Sequence, residues 1–339
     1  MADLIAIRHM LTQTQPLQND RWRLPKSRYA SNSTYIAQDA RLRREYLDPE
    51  LVVDEDIKQR LIDGGMDDLL ATHFAHLFIR DPIVVFAEDL ETLDLAKADH
   101  FENLQSTNWQ HMRFKPPPPG TDMGWRVEFR PMEIQITDFE NAAFSIFIVL
   151  ITRAILSFNL NFYLPIQRVT ENMETAHKRD ALSSEKFWFR KNPFGAHAHS
   201  TGTSTPAEGS RPCTPLGPVE NEYEQMTINE VINGQHSDDG KECFPGLIPL
   251  VESYLDSMNV DVETRCDLAR YLDLIRKRAD GTYWTAAKWI RHFVQTHPKY
   301  QKDSVVSDEI TYDLVKAAEQ ITKEEGRDGL GKEMLGRKR

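Results

Sequence analysis

Hydrophobic and polar positions change period several times along this chain. Between residues 124 and 136 they alternate. Val127 and Phe129 fall on one side of an extended segment, and Arg126, Glu128 and Arg130 on the other. The alternation predicts a strand over 124–136 whose apolar face packs. Elsewhere the spacing is helical. Residues 54–63 read as a helix broken by Gly64 and Gly65. Residues 66–79 read as a second, stopping before Asp81–Pro82, with Met66, Leu69, Leu70, Phe74 and Leu77 as its apolar stripe. Thr137 and Glu140 form a capping box that opens a helix reaching Phe158. That helix is apolar almost all round up to Ile151, which places it in the core.

A further helix is predicted near 170–183, followed by the aromatic cluster Phe187, Trp188 and Phe189. Thr227 and Glu230 make a second capping box, and its short helix ends at Gly234. From Pro245 onward the pattern is helical, in segments near 246–258, 261–279, 283–297 and 308–324. Trp284, Ala287, Ile290, Phe293 and Val294 lie at helical spacing and are expected to pack. Residues 87–123 read as connecting structure closing on Pro116 to Pro119, a stiff tract unfit for helix or central strand. Residues 191–221 are rich in Gly, Ser, Thr and Pro and are expected to form a flexible insertion. The fold class is therefore α+β, mostly helical. A sheet needs about three strands to stand alone, and the sequence offers the 124–136 strand few partners.

At 339 residues the chain is long enough for one large or two ordinary domains. A net charge of −11 argues against nucleic acid or an anionic membrane surface as main partner. Cys213, Cys243 and Cys266 are too few and scattered for a disulfide scaffold or a zinc site. A cytoplasmic setting fits, and the first ten residues hold no apolar targeting core. The best membrane candidate, residues 142–158, carries Arg153, which costs about 2.5–3.5 kcal/mol at a bilayer centre. A buried helix is expected there, with no membrane span.

Candidate chemistry centres on the alternating segment. A carboxylate between two guanidiniums, within about 14 Å along the strand, suits a phosphorylated ligand with its metal ion. The alternative is a structural ion pair of Glu128 with Arg126 or Arg130. Arg113 and Lys115 precede the proline tract and are either phosphate contacts or solvated loop cations. His73, His76 and Arg80 share one helix face; without further placed ligands the histidines read as core residues. Asp138 and Glu140 sit in a first helical turn, where carboxylates favour the helix dipole, and read as structural. Cys266 is expected on a helix and buried.

The run GWRVEFRPMEIQITDFENAA (124–143) resembles the catalytic subunit of the eukaryotic glutamate–cysteine ligase family. The resemblance extends through KSRY (26–29), HFAHLFIRDP (73–82), HFENLQSTNWQHMRFKPPPP (100–119), FPGLIPL (244–250) and DVETRCDLARYLDLIRKRA (261–279). It covers only the C-terminal half of such subunits. It implies a glutamine-synthetase-like antiparallel sheet, of which residues 1–190 hold the C-terminal part with helices. Residues 191–221 are then an insertion, 222–325 a helical region and 326–339 a frayed tail. The implied activity is ATP-dependent joining of L-glutamate and L-cysteine through γ-glutamyl phosphate, the first step of glutathione synthesis. The implied roles are Glu128 as Mg2+ ligand and catalytic residue, Arg130 as catalytic phosphate contact, and Arg113 and Lys115 as nucleotide contacts. Trp109 lines the glutamate pocket, and Arg126 contacts substrate or orients Glu128. A regulatory (modifier) subunit is an implied partner. The alternative is a non-catalytic fragment or paralogue that binds nucleotide or a regulatory subunit.

Overall fold

The computed structural model describes residues 34–79, 87–88, 112–118, 120–129, 135–194, 217–235 and 243–323. The chain divides into two compact units. The first holds the described residues up to 129 together with 165–173; the second holds the remainder.

In the first unit, local caps set the helices. Asp54 accepts hydrogen bonds from the backbone N–H of Asp56 and Ile57 and starts α1, Glu55–Asp63. Asp67 accepts from Leu70 N–H and starts α2, Asp68–Leu77. The two helices pack on one another. The buried residues of α2 are Ala71, His73, Phe74, Ala75, His76 and Leu77. Leu69 and Leu70, expected in the stripe, are only half-buried.

Strands β1, Met112–Lys115, and β2, Arg126–Phe129, form a two-stranded antiparallel ribbon. The strand predicted over 124–136 is thus shorter: residues 124–125 and 135–136 are not extended ladder, and 130–134 lie outside the described residues. The segment read as connection instead supplies the partner strand. The expected packing of Val127 and Phe129 is also reversed. These side chains are 61% and 42% exposed, while Arg126 and Glu128 are half-buried. Alternation fixes which residues share a side, but only a covering element decides which side is inward.

In the second unit, α3 runs Asp138–Ser157 from the capping box of Thr137 and Glu140, both halves of which are formed. Ala143, Phe147, Ile151 and Ala154 lie on one buried face. They meet α7, Leu247–Ser257, and α8, Val262–Ala279, in a core with Phe244, Ile248, Val251, Leu272 and Ile275. By length and composition α3 is apolar enough to cross a membrane. Here one face is buried in the core, as expected, while Val149 and Leu156 on the rest of the helix are exposed.

The helix expected near 170–183 is two: α4, Ile166–Ala176, and the short α5, Ala181–Ser184, parted at Asp180 in the left-handed region (φ 54°). The aromatic cluster is strand β3, Phe187–Arg190, antiparallel to β4, Tyr223–Met226. Neither strand was predicted. Of the 191–221 insertion, residues 195–216 lie outside the described residues; at its edges Lys191 N–H donates to Glu222 C=O, extending the ladder. The second capping box opens α6, Ile228–Asn233, which stops at Gly234 (φ 97°). Helices α9, Ala286–Thr296, and α10, Asp308–Lys323, enclose a small cluster around Trp289 and Ile321. Its face runs through Ala286, Trp289 and Phe293; Ala287 and Ile290 of the predicted stripe point outward. Cys266 is exposed on α8, contrary to expectation.

Buried polar groups mark two fixed points. In the second unit Glu140 is fully buried. One carboxylate oxygen accepts from Thr137 N–H at 3.0 Å, and the other accepts from Arg278, itself buried at the end of α8. In the first unit His76 donates from Nδ1 to the Val52 carbonyl at 2.7 Å. His73 is buried and its Nδ1 has no hydrogen-bond partner among the described residues. Both histidines are buried, as the core reading expects.

Burial, with a smaller contribution from His76, pushes the His73 pKa down to about 4. The unfolded chain takes up a proton near pH 6.5 that the fold refuses. Stability is therefore full above about pH 6.5 and falls between there and about pH 4. His73→Leu should flatten this decline, shrinking the loss of unfolding free energy between pH 7 and pH 4.5 by about 2 kcal/mol. Urea titrations of both proteins at the two pH values measure it. Equal losses in the two proteins would show that His73 is not the group responsible.

Candidate functional site

The β1–β2 ribbon brings four of the predicted site residues to one side. Its register sets Arg113 opposite Glu128 and Lys115 opposite Arg126. Opposed residues of an antiparallel pair share a face. Three cationic positions therefore surround one carboxylate. Met112, Phe114, Val127 and Phe129 occupy the positions of the other face. The signal was present in the sequence: Met–Arg–Phe–Lys alternates with the same period as Arg–Val–Glu–Phe, with prolines and Gly120 between them.

The linking segment turns through Gly120 (φ 72°), and Thr121 Oγ1 donates to the Pro118 carbonyl at 3.0 Å. The ribbon is tied to its unit by Trp125, whose ring stacks on the buried Phe74 of α2 with centroids 6.3 Å apart. A rigid helix thus holds one end of the cationic face.

Within that face, Lys115 Nζ lies 3.2 Å from Glu128 Oε2, and the two side chains are 25% and 35% exposed. The contact is diagonal across the ribbon, a span that a long side chain bridges. Lys115, which the sequence did not suggest for this role, is thus an ion-pair partner of Glu128. Arg126 Nη2 donates weakly to the Pro116 carbonyl at 3.4 Å, while its Nε is buried with no acceptor among the described residues. A buried guanidinium N–H without an acceptor is costly unless an anionic ligand completes it. Trp109 and Arg130, together with Arg80, Glu133 and Cys213, lie outside the described residues. Asp138 is exposed and Glu140 is engaged in its cap and ion pair, both consistent with structural roles.

Chemically the face suits oxyanions. A guanidinium with an open donor and an ammonium on a flexible stem match phosphate oxygens. The half-buried Glu128 carboxylate is a hard oxygen donor of the kind Mg2+ takes. As the one carboxylate on this ribbon face it fits a cation shared with phosphate oxygens, and does not by itself make a dedicated metal cage.

The class defined by these features is an α+β protein, mostly helical, with a small antiparallel ribbon that gathers cationic positions on one face. Comparison with known proteins specifies the family. The glutamate-cysteine ligase family matches over residues 8–321, and the chain belongs to that family. It is 68% identical to glutamate–cysteine ligase of Neurospora crassa over 94% of this chain and 46% of that protein. It is 52% identical to glutamate–cysteine ligase of Schizosaccharomyces pombe over 88% of this chain and 42% of that one. Against the mouse glutamate–cysteine ligase catalytic subunit the identity is 49%, over 91% of this chain and 47% of the mouse protein. The chain therefore spans a little under half the length of these relatives.

Proposed function

We propose that this chain carries part of the nucleotide site of a glutamate–cysteine ligase, with the β1–β2 ribbon as its phosphate-facing wall. The observation that carries the reading is the placement of Arg113, Lys115, Arg126 and Glu128 on one ribbon face, with an Arg126 Nε–H that has no acceptor among the described residues. In the proposed reaction the γ-carboxylate of L-glutamate attacks the γ-phosphorus of ATP and ADP leaves. The amine of L-cysteine then attacks the resulting γ-glutamyl phosphate, forming the amide and releasing phosphate.

Such transfer needs positioning and neutralisation of charge spread over phosphoryl oxygens more than it needs covalent help. Lys115 and Arg126 supply donors to those oxygens, with Arg113 and Arg130 assigned the same task. Glu128 would hold Mg2+ shared with the nucleotide, which when bound supplies positive charge at the bridging phosphate oxygens. Trp109 is assigned to the glutamate pocket, and Arg126 additionally to orienting substrate. The ribbon would belong to a glutamine-synthetase-like sheet. A modifier subunit is the proposed protein partner, in the cytoplasm.

A second reading has its own support. The described residues contain no cluster of three metal-ligating side chains, and the chain covers under half of its relatives. A non-catalytic piece that binds nucleotide satisfies both facts. One pair of measurements separates the readings. Calorimetric titration with ADP should give binding that Arg126→Ala weakens by roughly tenfold to a hundredfold, the value of one charge-assisted hydrogen bond. Cysteine-dependent ADP release from Mg-ATP and glutamate tests turnover. Binding without turnover favours the non-catalytic reading. An Arg126→Ala chain that binds ADP as well as the parent would remove the ribbon from the nucleotide site.

A further inference from the structure

We infer that Lys115 is a positioning residue for Glu128, standing in for the divalent cation until nucleotide arrives. The inference rests on the proposed reading of Glu128 as a metal ligand and goes beyond it by assigning an exchange. Lys115 is not directly opposite Glu128; the register puts Arg113 there and sets Lys115 opposite Arg126, and the lysine crosses the ribbon to reach Oε2 at 3.2 Å. A cation coordinated by a carboxylate oxygen sits about 2.0–2.1 Å away for Mg2+. An ammonium at hydrogen-bond distance from the same oxygen then faces a doubly charged neighbour at close range, and the two repel. Lysine and metal therefore exclude one another at Oε2.

The pair is built for exchange. Both side chains are partly exposed, so the ion pair contributes little stability and breaks readily. Lysine presents three donors on four rotatable carbons, whereas an arginine fork would hold both carboxylate oxygens in fixed geometry. Once displaced, the ammonium remains on the ribbon face beside Arg126, whose Nε has no acceptor among the described residues. From there its donors reach phosphate oxygens. Metal capture and transfer of Lys115 to the phosphates are one step, and the carboxylate is kept oriented and neutralised beforehand.

The test is titration of the whole chain with Mn2+ alone, followed by electron paramagnetic resonance of the free ion, and separately with ADP in the presence of Mn2+. Lys115→Met is expected to tighten Mn2+ binding about threefold to tenfold and to weaken Mn-ADP binding by a similar factor. The opposed signs are the signature, since a lysine that merely stiffens the ribbon would move both affinities together or neither. Lys115→Gln should repeat the pattern, which guards against a packing fault peculiar to Met. Unchanged or weaker Mn2+ binding in both lysine variants, with Glu128→Gln still lowering Mn2+ affinity, would overturn the exchange and leave the metal role of Glu128 standing. Mn2+ binding that is undetectable in the parent, or unaffected by Glu128→Gln, would overturn the metal role and the exchange with it.

Discussion

Arg278→Met is expected to lower the melting temperature on the order of 10 °C, corresponding to about 3–5 kcal/mol for breaking a buried ion pair from one side. The reason lies in what remains. Glu140 is fully buried at the start of α3, with one oxygen committed to the capping box and the other to Arg278. Without the guanidinium, a desolvated carboxylate is left with only its cap donors. Restoring neutrality should recover much of the loss: Glu140→Gln with Arg278→Met keeps an oxygen for Thr137 N–H and removes both charges. Thermal denaturation of the parent, both single variants and the double variant gives the coupling. Additive effects, or a shift of a degree or less in Arg278→Met, would mean that the pair does not hold α3 to α8.

Gly246→Ala is the second large effect, a loss of about 3 kcal/mol or more. Gly246 (φ 93°) precedes α7, and Gly234 (φ 97°) ends α6, and their backbones touch. A β-carbon on Gly246 would fall 2.7 Å from Asn233 C and 2.9 Å from Gly234 Cα, inside contact distance of main chain that has nowhere to move. One on Gly234 would fall 2.5 Å from the Pro245 carbonyl oxygen. The close approach is locked by Gln235 N–H donating to the Phe244 carbonyl at 3.0 Å, and by Phe244 N–H donating back to Gln235 Oε1 at 3.1 Å. Phe244 is fully buried against Phe162 and Phe189. Displacing this crossing therefore disturbs the core cluster around Phe244 at its edge. Urea denaturation would detect the change as a lower midpoint; a curve superimposable on the parent would show that the crossing yields freely.

What could be read from sequence was local. Both Thr–x–x–Glu boxes and the Asp54 start appear where the residues predicted them, because a cap depends on side chains within three positions of it. The helices after Pro245 fall within a few residues of their predicted spans for the same reason. The β3–β4 ribbon was missed because its strands are four residues each and are separated by more than thirty positions. The Glu140–Arg278 pair joins residues 138 apart, which no periodicity announces. At the candidate site, residue type pointed to Arg113 and Lys115 as phosphate contacts or solvated cations, yet placed them in a connecting segment because their strand went unrecognised.

The reversed ribbon has a bearing on how substitutions there should be judged. Val127 is largely and Phe129 partly exposed to solvent, so this chain's own folding depends only weakly on which side chains stand at those two positions. Exchanging them for threonine or lysine would scarcely register in a melting curve of the isolated chain. Any intolerance to such exchanges in living cells would then report on a neighbour resting against the ribbon, and a pair of otherwise silent mutations becomes a detector for it.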